Sequence, residues 1–239
     1  MGRARREQKQ RAFRFPCGWG GRRPGAGRKP NGERAGVSHR ERDALASRFP
    51  VHVTLKMRAG LPSLRHGRAH SAVLESFAGV REREGFRLVH YSVQSHHLHL
   101  LCEARDRGQL SRGLQALAIR IAKSLNRLWR RTGKLFADRY HDHILRSPRE
   151  VRNALAYVLN NAAHHGVRWA RGEPDPCSSR RWFSAWRELS RQPDPTCPLA
   201  RARTWLLSVG WRLCGRIPND VVRRRVEPFD PENGPRPPF

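Results

Sequence analysis

Residues Phe86–Glu103, FRLVHYSVQSHHLHLLCE, decide the fold. Phe86–Gln94 alternates apolar and polar positions and carries aromatic and β-branched residues, which marks a strand. Ser95-His96 interrupts it as a turn, and His97–Glu103 resumes as a second strand, so the stretch predicts a hairpin. On a strand, residues i and i+2 share a face. His97 and His99 therefore project side by side, with Leu98 and Leu100 turned to a core. Two imidazoles so placed are an economical pair of nitrogen ligands for a divalent ion. Paired histidines on a strand face are also commonly just solvated or hydrogen-bonded, and His141-Asp142-His143 repeats the spacing.

The elements on either side complete a pattern. Upstream, Phe49–Met57 alternates like a strand, and His66–Glu84 places Ala69, Val73, Leu74, Phe77 and Val80 at helical spacing, with Gly85 as a stop. Downstream, Gln109–Arg131 is a long amphipathic helix with Leu110, Leu114, Leu117, Ile121, Leu125 and Leu128 on one stripe. Phe136–Arg146 reads as a further strand. Ser147-Pro148-Arg149-Glu150 then opens a helix with the residues of a capping box, and it runs through Val151, Leu155, Val158 and Leu159 toward Gly166. Strand, helix, strand, strand, helix, strand is the split βαβ order, so the expected class is α+β: a ferredoxin-like βαββαβ sheet with one added helix over residues 49–168. That last helix holds Tyr157 and Asn161, an i, i+4 pair on one face. Within an apolar run Tyr157 taken alone reads first as a core tyrosine; beside an amide it also suits a nucleophile next to a metal ligand.

The flanks are of another kind. Of the 239 residues, 48 are Lys or Arg against 20 Asp or Glu, a net charge of +28. Residues 1–48 carry little apolar periodicity and a Gly/Pro/Arg-rich run from Gly18 to Pro30, so they are expected to be a disordered basic arm. Residues 169–214 read as a Pro-rich extension with two helical candidates, Ser179–Ser190 and Leu199–Cys214, and residues 215–239 as a disordered tail.

The charge calls for a polyanion, and nucleic acid is the default partner because each neutralised phosphate releases counterions. All but five of the 48 basic residues are arginine, whose planar fork suits phosphate oxygens and stacks on bases. A GC-rich genome also favours arginine codons, but it does not explain the net charge. No run of about 18 apolar residues suggests a membrane span, and no apolar segment follows the basic N-terminus as in a secretory signal. Cys17, Cys102, Cys177, Cys197 and Cys214 are odd in number and widely spaced, which argues against a disulfide scaffold or a cysteine zinc site and for a reducing cytoplasm.

Three stretches together resemble a known family: Tyr91–Leu101 (YSVQSHHLHLL), Leu135–His143 (LFADRYHDH) and Tyr157–Asn161 (YVLNN). They are similar to the REP-associated tyrosine transposases (RAYT), single-tyrosine insertion-sequence transposases of the HUH superfamily, over roughly Phe49 to Gly166. The resemblance implies that His97 and His99 bind a divalent metal, Mg²⁺ or Mn²⁺, that Asn161 is the third ligand, and that Tyr157 is the nucleophile. It implies a 5′-phosphotyrosine intermediate, single-stranded or hairpin DNA as partner, and a cytoplasmic, nucleoid-associated location in a bacterium. Two positions depart from the family pattern: Ala162 stands where Pro commonly follows the Asn, and Ser95-His96 where the turn is commonly Pro-Asn.

Candidate DNA contacts are Arg22, Arg23, Arg28 and Lys29 in the arm, Arg120, Lys123 and Arg127 on the long helix, and Arg139, Arg146 and Arg149 around the expected site. Arg180, Arg181, Trp182, Phe183, Trp186 and Arg187 interleave bases and aromatics; the cluster reads either as a base-stacking surface or as a small packed helix. His141 and His143 read as ordinary polar strand residues, and His164 and His165 as helix-end residues. The same residues are also compatible with two other functions: a catalytically silent hairpin-binding protein, and a basic RNA-binding protein with a base-stacking sheet. The second lacks aromatics on the central strands, where His-Leu-His stands instead.

Overall fold

Alternation in β1 (Val51–Lys56) gives the sheet its two faces. Val51, Val53 and Leu55 are buried on one side, which leaves His52, Thr54 and Lys56 on the other. The computed structural model describes residues 41–164, 175–183, 197–215 and 217, all within one unit, residues 37–239. After β1 come α1 (Gly67–Ala78), β2 (Glu82–Arg83), β3 (Phe86–Val93), β4 (His97–Ala104), α2 (Arg107–Leu128), β5 (His141–Ile144), α3 (Pro148–His164) and α4 (Trp205–Ser208). The sheet order is β2-β3-β4-β1-β5, with antiparallel neighbours throughout.

Two apolar clusters flank this mixed α/β sheet. On one face Val51, Val53, Leu55, Leu98, Leu100 and Cys102 meet Val73 and Phe77 of α1 and Leu110, Leu114, Leu117 and Ile121 of α2. On the other, Val89 and Leu101 meet Val151, Leu155, Val158 and Leu159 of α3. The capping box forms as the residues suggest: Ser147 Oγ accepts from Glu150 N at 3.2 Å, and Glu150 Oε2 accepts from Ser147 N at 3.1 Å. It sets the start of the helix that carries Tyr157.

Several boundaries differ from the sequence expectation. α1 ends at Ala78 rather than Glu84, because Glu82–Arg83 turn back to pair with Phe86–Arg87. Gly85, at φ +69°, serves that hairpin turn and not a helix end. β5 begins at His141; Phe136 makes only an isolated bridge with Met57. The chain joins the fold before Phe49: Leu45 is buried, and Arg42 binds Asp142, packs on the Tyr140 ring and donates to the Tyr140 carbonyl. The candidate helix Ser179–Ser190 is one 3-10 turn at Ser179–Trp182 among the described residues. The candidate helix Leu199–Cys214 is α4 followed by a 3-10 stretch, Gly210–Cys214; the Trp205 ring lies against Gly210, where a Cβ would collide with it.

The extension closes the sheet rather than trailing from it. Val93 N donates to the Cys177 carbonyl at 2.7 Å, Ser92 bridges Ser178, and Tyr91 N donates to Ser179 Oγ at 3.1 Å. Residues 177–179 thus satisfy the part of β3 that two-residue β2 leaves bare. Asp175 holds this segment through a buried ion pair with Arg65 at 2.8 Å. Further on, the buried Glu103 carboxylate pairs with Arg87 and accepts from the backbone N–H groups of Arg203 and Thr204 and from the Thr204 hydroxyl. Leu206, Leu207 and Trp211 then pack with α3.

Candidate active site

β4 carries His97 and His99 onto the α3 face, because Leu98 and Leu100 occupy the opposite core. α3 crosses this face with Leu155, Val158 and Leu159 inward, and the same stripe brings Tyr157 and Asn161 down to the sheet. The Tyr157 hydroxyl lies 3.4 Å from His99 Nε2, and their rings meet edge-on with centroids 5.0 Å apart. His97 is half-buried and sits edge-on to His99, centroids 4.8 Å apart. The other His99 nitrogen, Nδ1, lies 3.2 Å from the Thr54 hydroxyl.

Asn161 is fully buried, and neither its amide oxygen nor its nitrogen reaches hydrogen-bond geometry with any described residue. Leaving a buried amide unsatisfied costs on the order of 1–3 kcal/mol per group. Burial pushes the Tyr157 phenol above its usual pKa, and the Asn161 side chain beside it pulls partly the other way. A half-buried tyrosine of raised pKa is a weak nucleophile until something assists its deprotonation.

Sequence reasoning passed over one strand of this site. In register, Thr54 of β1 faces His99, and Lys56 faces His97. His52 lies against His99, ring centroids 5.4 Å apart and planes 20° apart, and edge-on to Tyr157 at 5.9 Å. Burial, then the charge of His143, holds the His52 pKa down to about 4, so it is neutral at pH 7. The signal was present in the period-2 pattern of VHVTLK, whose polar positions fall on the face His97 and His99 share.

The other candidates divide by location. Arg120, Lys123 and Arg127 are exposed on α2, which packs on the opposite sheet face from α3, so the fold separates them from Tyr157. The Arg120 guanidinium lies over Gly79 at the end of α1. Arg139, Arg146 and Arg149 are exposed around β5 and the start of α3. His141 and His143 are exposed on β5, facing Thr54 and His52 in register. Trp182 packs toward Tyr91, and Phe183 against Trp211 and His90. Arg22, Arg23, Arg28, Lys29, Trp186 and Arg187 lie outside the described residues.

Among the described residues, no group of three or more His, Cys, Asp or Glu side chains is arranged to hold a metal ion. The ligands that the family resemblance implies are of another kind, two imidazoles and one amide. Also among the described residues, no helix is long and apolar enough to cross a membrane.

No protein-family model and no curated protein matches the chain. Among solved structures it is similar to a REP-associated tyrosine transposase bound to a REP hairpin, with a TM-score of 0.50 and 16% identity, over 67% of this chain and 90% of that one. At that identity the likeness is one of fold.

Proposed function

We propose that this protein is a transposase that cleaves and rejoins single-stranded, hairpin-containing DNA through a 5′-phosphotyrosine intermediate, as a member of the RAYT branch of the HUH superfamily. The observation that carries this reading is the meeting of the Tyr157 hydroxyl with His99 Nε2 on the sheet face where His97 also stands. The likeness to the hairpin-bound tyrosine transposase supports it at the level of fold, as does the placement of β1 between β4 and β5 with β3 outside β4, the neighbour order of a ferredoxin-like sheet. The net charge of +28 supports DNA as the partner.

The residues fit a divalent ion, because the orphaned Asn161 amide sits buried beside the Tyr157 phenol that His99 touches. His97, His99 and Asn161 would hold Mg²⁺ or Mn²⁺, and such an ion supplies charge neutralisation at a scissile phosphate. Nitrogen ligands favour Mn²⁺ over Mg²⁺. The chain's own part is to place Tyr157. Its phenol loses its proton, its oxygen bonds to phosphorus, and the 3′ oxygen leaves and takes up a proton. Reversal by a 3′ hydroxyl rejoins strands, and because the phosphotyrosyl bond conserves the energy, no nucleotide cofactor is needed. Arg139, Arg146 and Arg149, exposed around β5 and the start of α3, would bind backbone near the site; Arg22, Arg23, Arg28, Lys29, Arg120, Lys123 and Arg127 would serve DNA held further away.

The test is a denaturing gel of protein incubated with hairpin-bearing single-stranded oligonucleotides. A covalent adduct that needs divalent metal and disappears in Tyr157→Phe supports the reading, and an adduct that survives that substitution removes Tyr157 as nucleophile. Tight hairpin binding without an adduct under any metal would identify a catalytically silent hairpin-binding protein instead. An RNA-binding sheet of the base-stacking kind is disfavoured by packing, since α3 covers the face that would have to be open.

A further inference from the structure

The two ring nitrogens of His99 have different partners, and the difference bears on which of them can bind a metal. Nε2 faces the Tyr157 hydroxyl, whereas Nδ1 lies 3.2 Å from Thr54 Oγ1. A neutral imidazole carries one proton, so a nitrogen that ligates must be the one without it. Histidine ligands commonly donate from their second nitrogen to a fixed acceptor, which sets both tautomer and ring plane. Thr54 is well placed for that task. It stands in register between His99 on β4 and His141 on β5, and the hydrogen bond runs to His99. Its γ-branch is held in a central strand, where the β-branched side chain has few rotamers. The neighbouring His52 ring lies nearly parallel to His99, with centroids 5.4 Å apart.

We propose that Thr54 is a positioning residue for His99: its hydroxyl accepts from Nδ1–H and so presents Nε2 as a lone pair on the side where Tyr157 stands. The inference rests on the reading of His99 as a metal ligand. It concerns one tautomer and one ring orientation, and it assigns Thr54 no contact with DNA.

The test uses the full chain and Mn²⁺ as the probe. Mn²⁺ affinity is measured by titration calorimetry or electron paramagnetic resonance for the wild type, Thr54→Val, Thr54→Ser and the double variant His97→Ala/His99→Ala. In parallel, the His99 tautomer is read from imidazole ¹⁵N shifts in metal-free protein. Valine keeps the shape and strand preference of threonine and removes only the acceptor, and circular dichroism checks that each variant folds. The expected result is a Nδ1–H tautomer in the wild type, a loss of Mn²⁺ affinity of about 10–100-fold in Thr54→Val, and restoration by Thr54→Ser. A merely structural role would not move the tautomer or be rescued by serine. If Thr54→Val binds Mn²⁺ as the wild type does while the double histidine variant does not, the ligand reading stands and the role of Thr54 is overturned. A Nε2–H tautomer in the wild type overturns it as well. If the double variant keeps wild-type affinity, the ligand reading and this inference fall together.

Discussion

The Tyr157 hydroxyl stands 3.4 Å from His99 Nε2, although 58 residues separate the two along the chain. One lies on a strand whose alternate residues are committed to the opposite core, the other on a helix whose apolar stripe is committed to this face. The packing of the two elements therefore brings both side chains to one face of the sheet.

Tyr157→Phe is therefore expected to abolish adduct formation while leaving the fold and hairpin affinity near wild type. The lost hydroxyl is half-buried and makes a long contact, so the stability change should be within about 1 kcal/mol. Denaturing gels and urea unfolding of the same samples check both halves.

Asp175→Asn is expected to loosen the extension. Arg65 and Asp175 form a buried pair, their side chains 9% and 5% exposed, and Arg65 also donates to the Val93 carbonyl. Neutralising one partner leaves a buried guanidinium without its counter-charge, a loss of about 3–5 kcal/mol for such pairs. Urea unfolding should register the loss, and hydrogen exchange should locate it at residues 177–179 and the adjoining half of β3.

Stability should fall on acidification through His90. Burial holds its pKa down to about 4, and its ring packs against Phe183 with Nδ1 at 3.2 Å from the Ser179 hydroxyl. The unfolded chain binds this proton near pH 6.5 and the folded chain only near 4. The contribution is thus whole above pH 6.5, is lost as pH falls from 6.5 to 4, and amounts to on the order of 3 kcal/mol. Unfolding curves across that window should be steeper in pH for the wild type than for His90→Gln.

Gly113→Ala should destabilise although it raises helix propensity. Gly113 is inside α2, and a Cβ there would run into the buried Phe86 ring. Propensity favours alanine by about 1 kcal/mol, whereas overpacking costs about 1–3 kcal/mol. A double-mutant cycle with Phe86→Leu should recover part of the loss, and the absence of coupling would show that the ring is not the obstacle.

Much of this was legible in the chain itself. Alternation in Val51–Lys56 and His97–Ala104, the capping residues Ser147 and Glu150, and the spacing of Leu155, Val158 and Leu159 are local signals, and each specifies a face as well as an element. His97 with His99, and Tyr157 with Asn161, could therefore be paired within their own elements. The boundaries set by strand pairing, near or far along the chain, were not legible. β2 exists because Glu82–Arg83 meet Phe86–Arg87, and the extension is ordered at 177–179 because β3 offers it an open edge.

The chain's local patterns assign each polar side chain to a face, since period-2 and period-3.6 repeats follow from backbone geometry. Which of those side chains meet is settled by packing. Register between β1 and β4 sets Thr54 against His99 and Lys56 against His97; the stacking of His52 on His99 and the seat of Tyr157 above it come from how α3 lies on the sheet. It also sends Arg120, Lys123 and Arg127 to the far face, because their helix is bound by its leucines to the core that the histidine face excludes. Strand register and helix placement are long-range packing outcomes, and no window of neighbouring residues carries them.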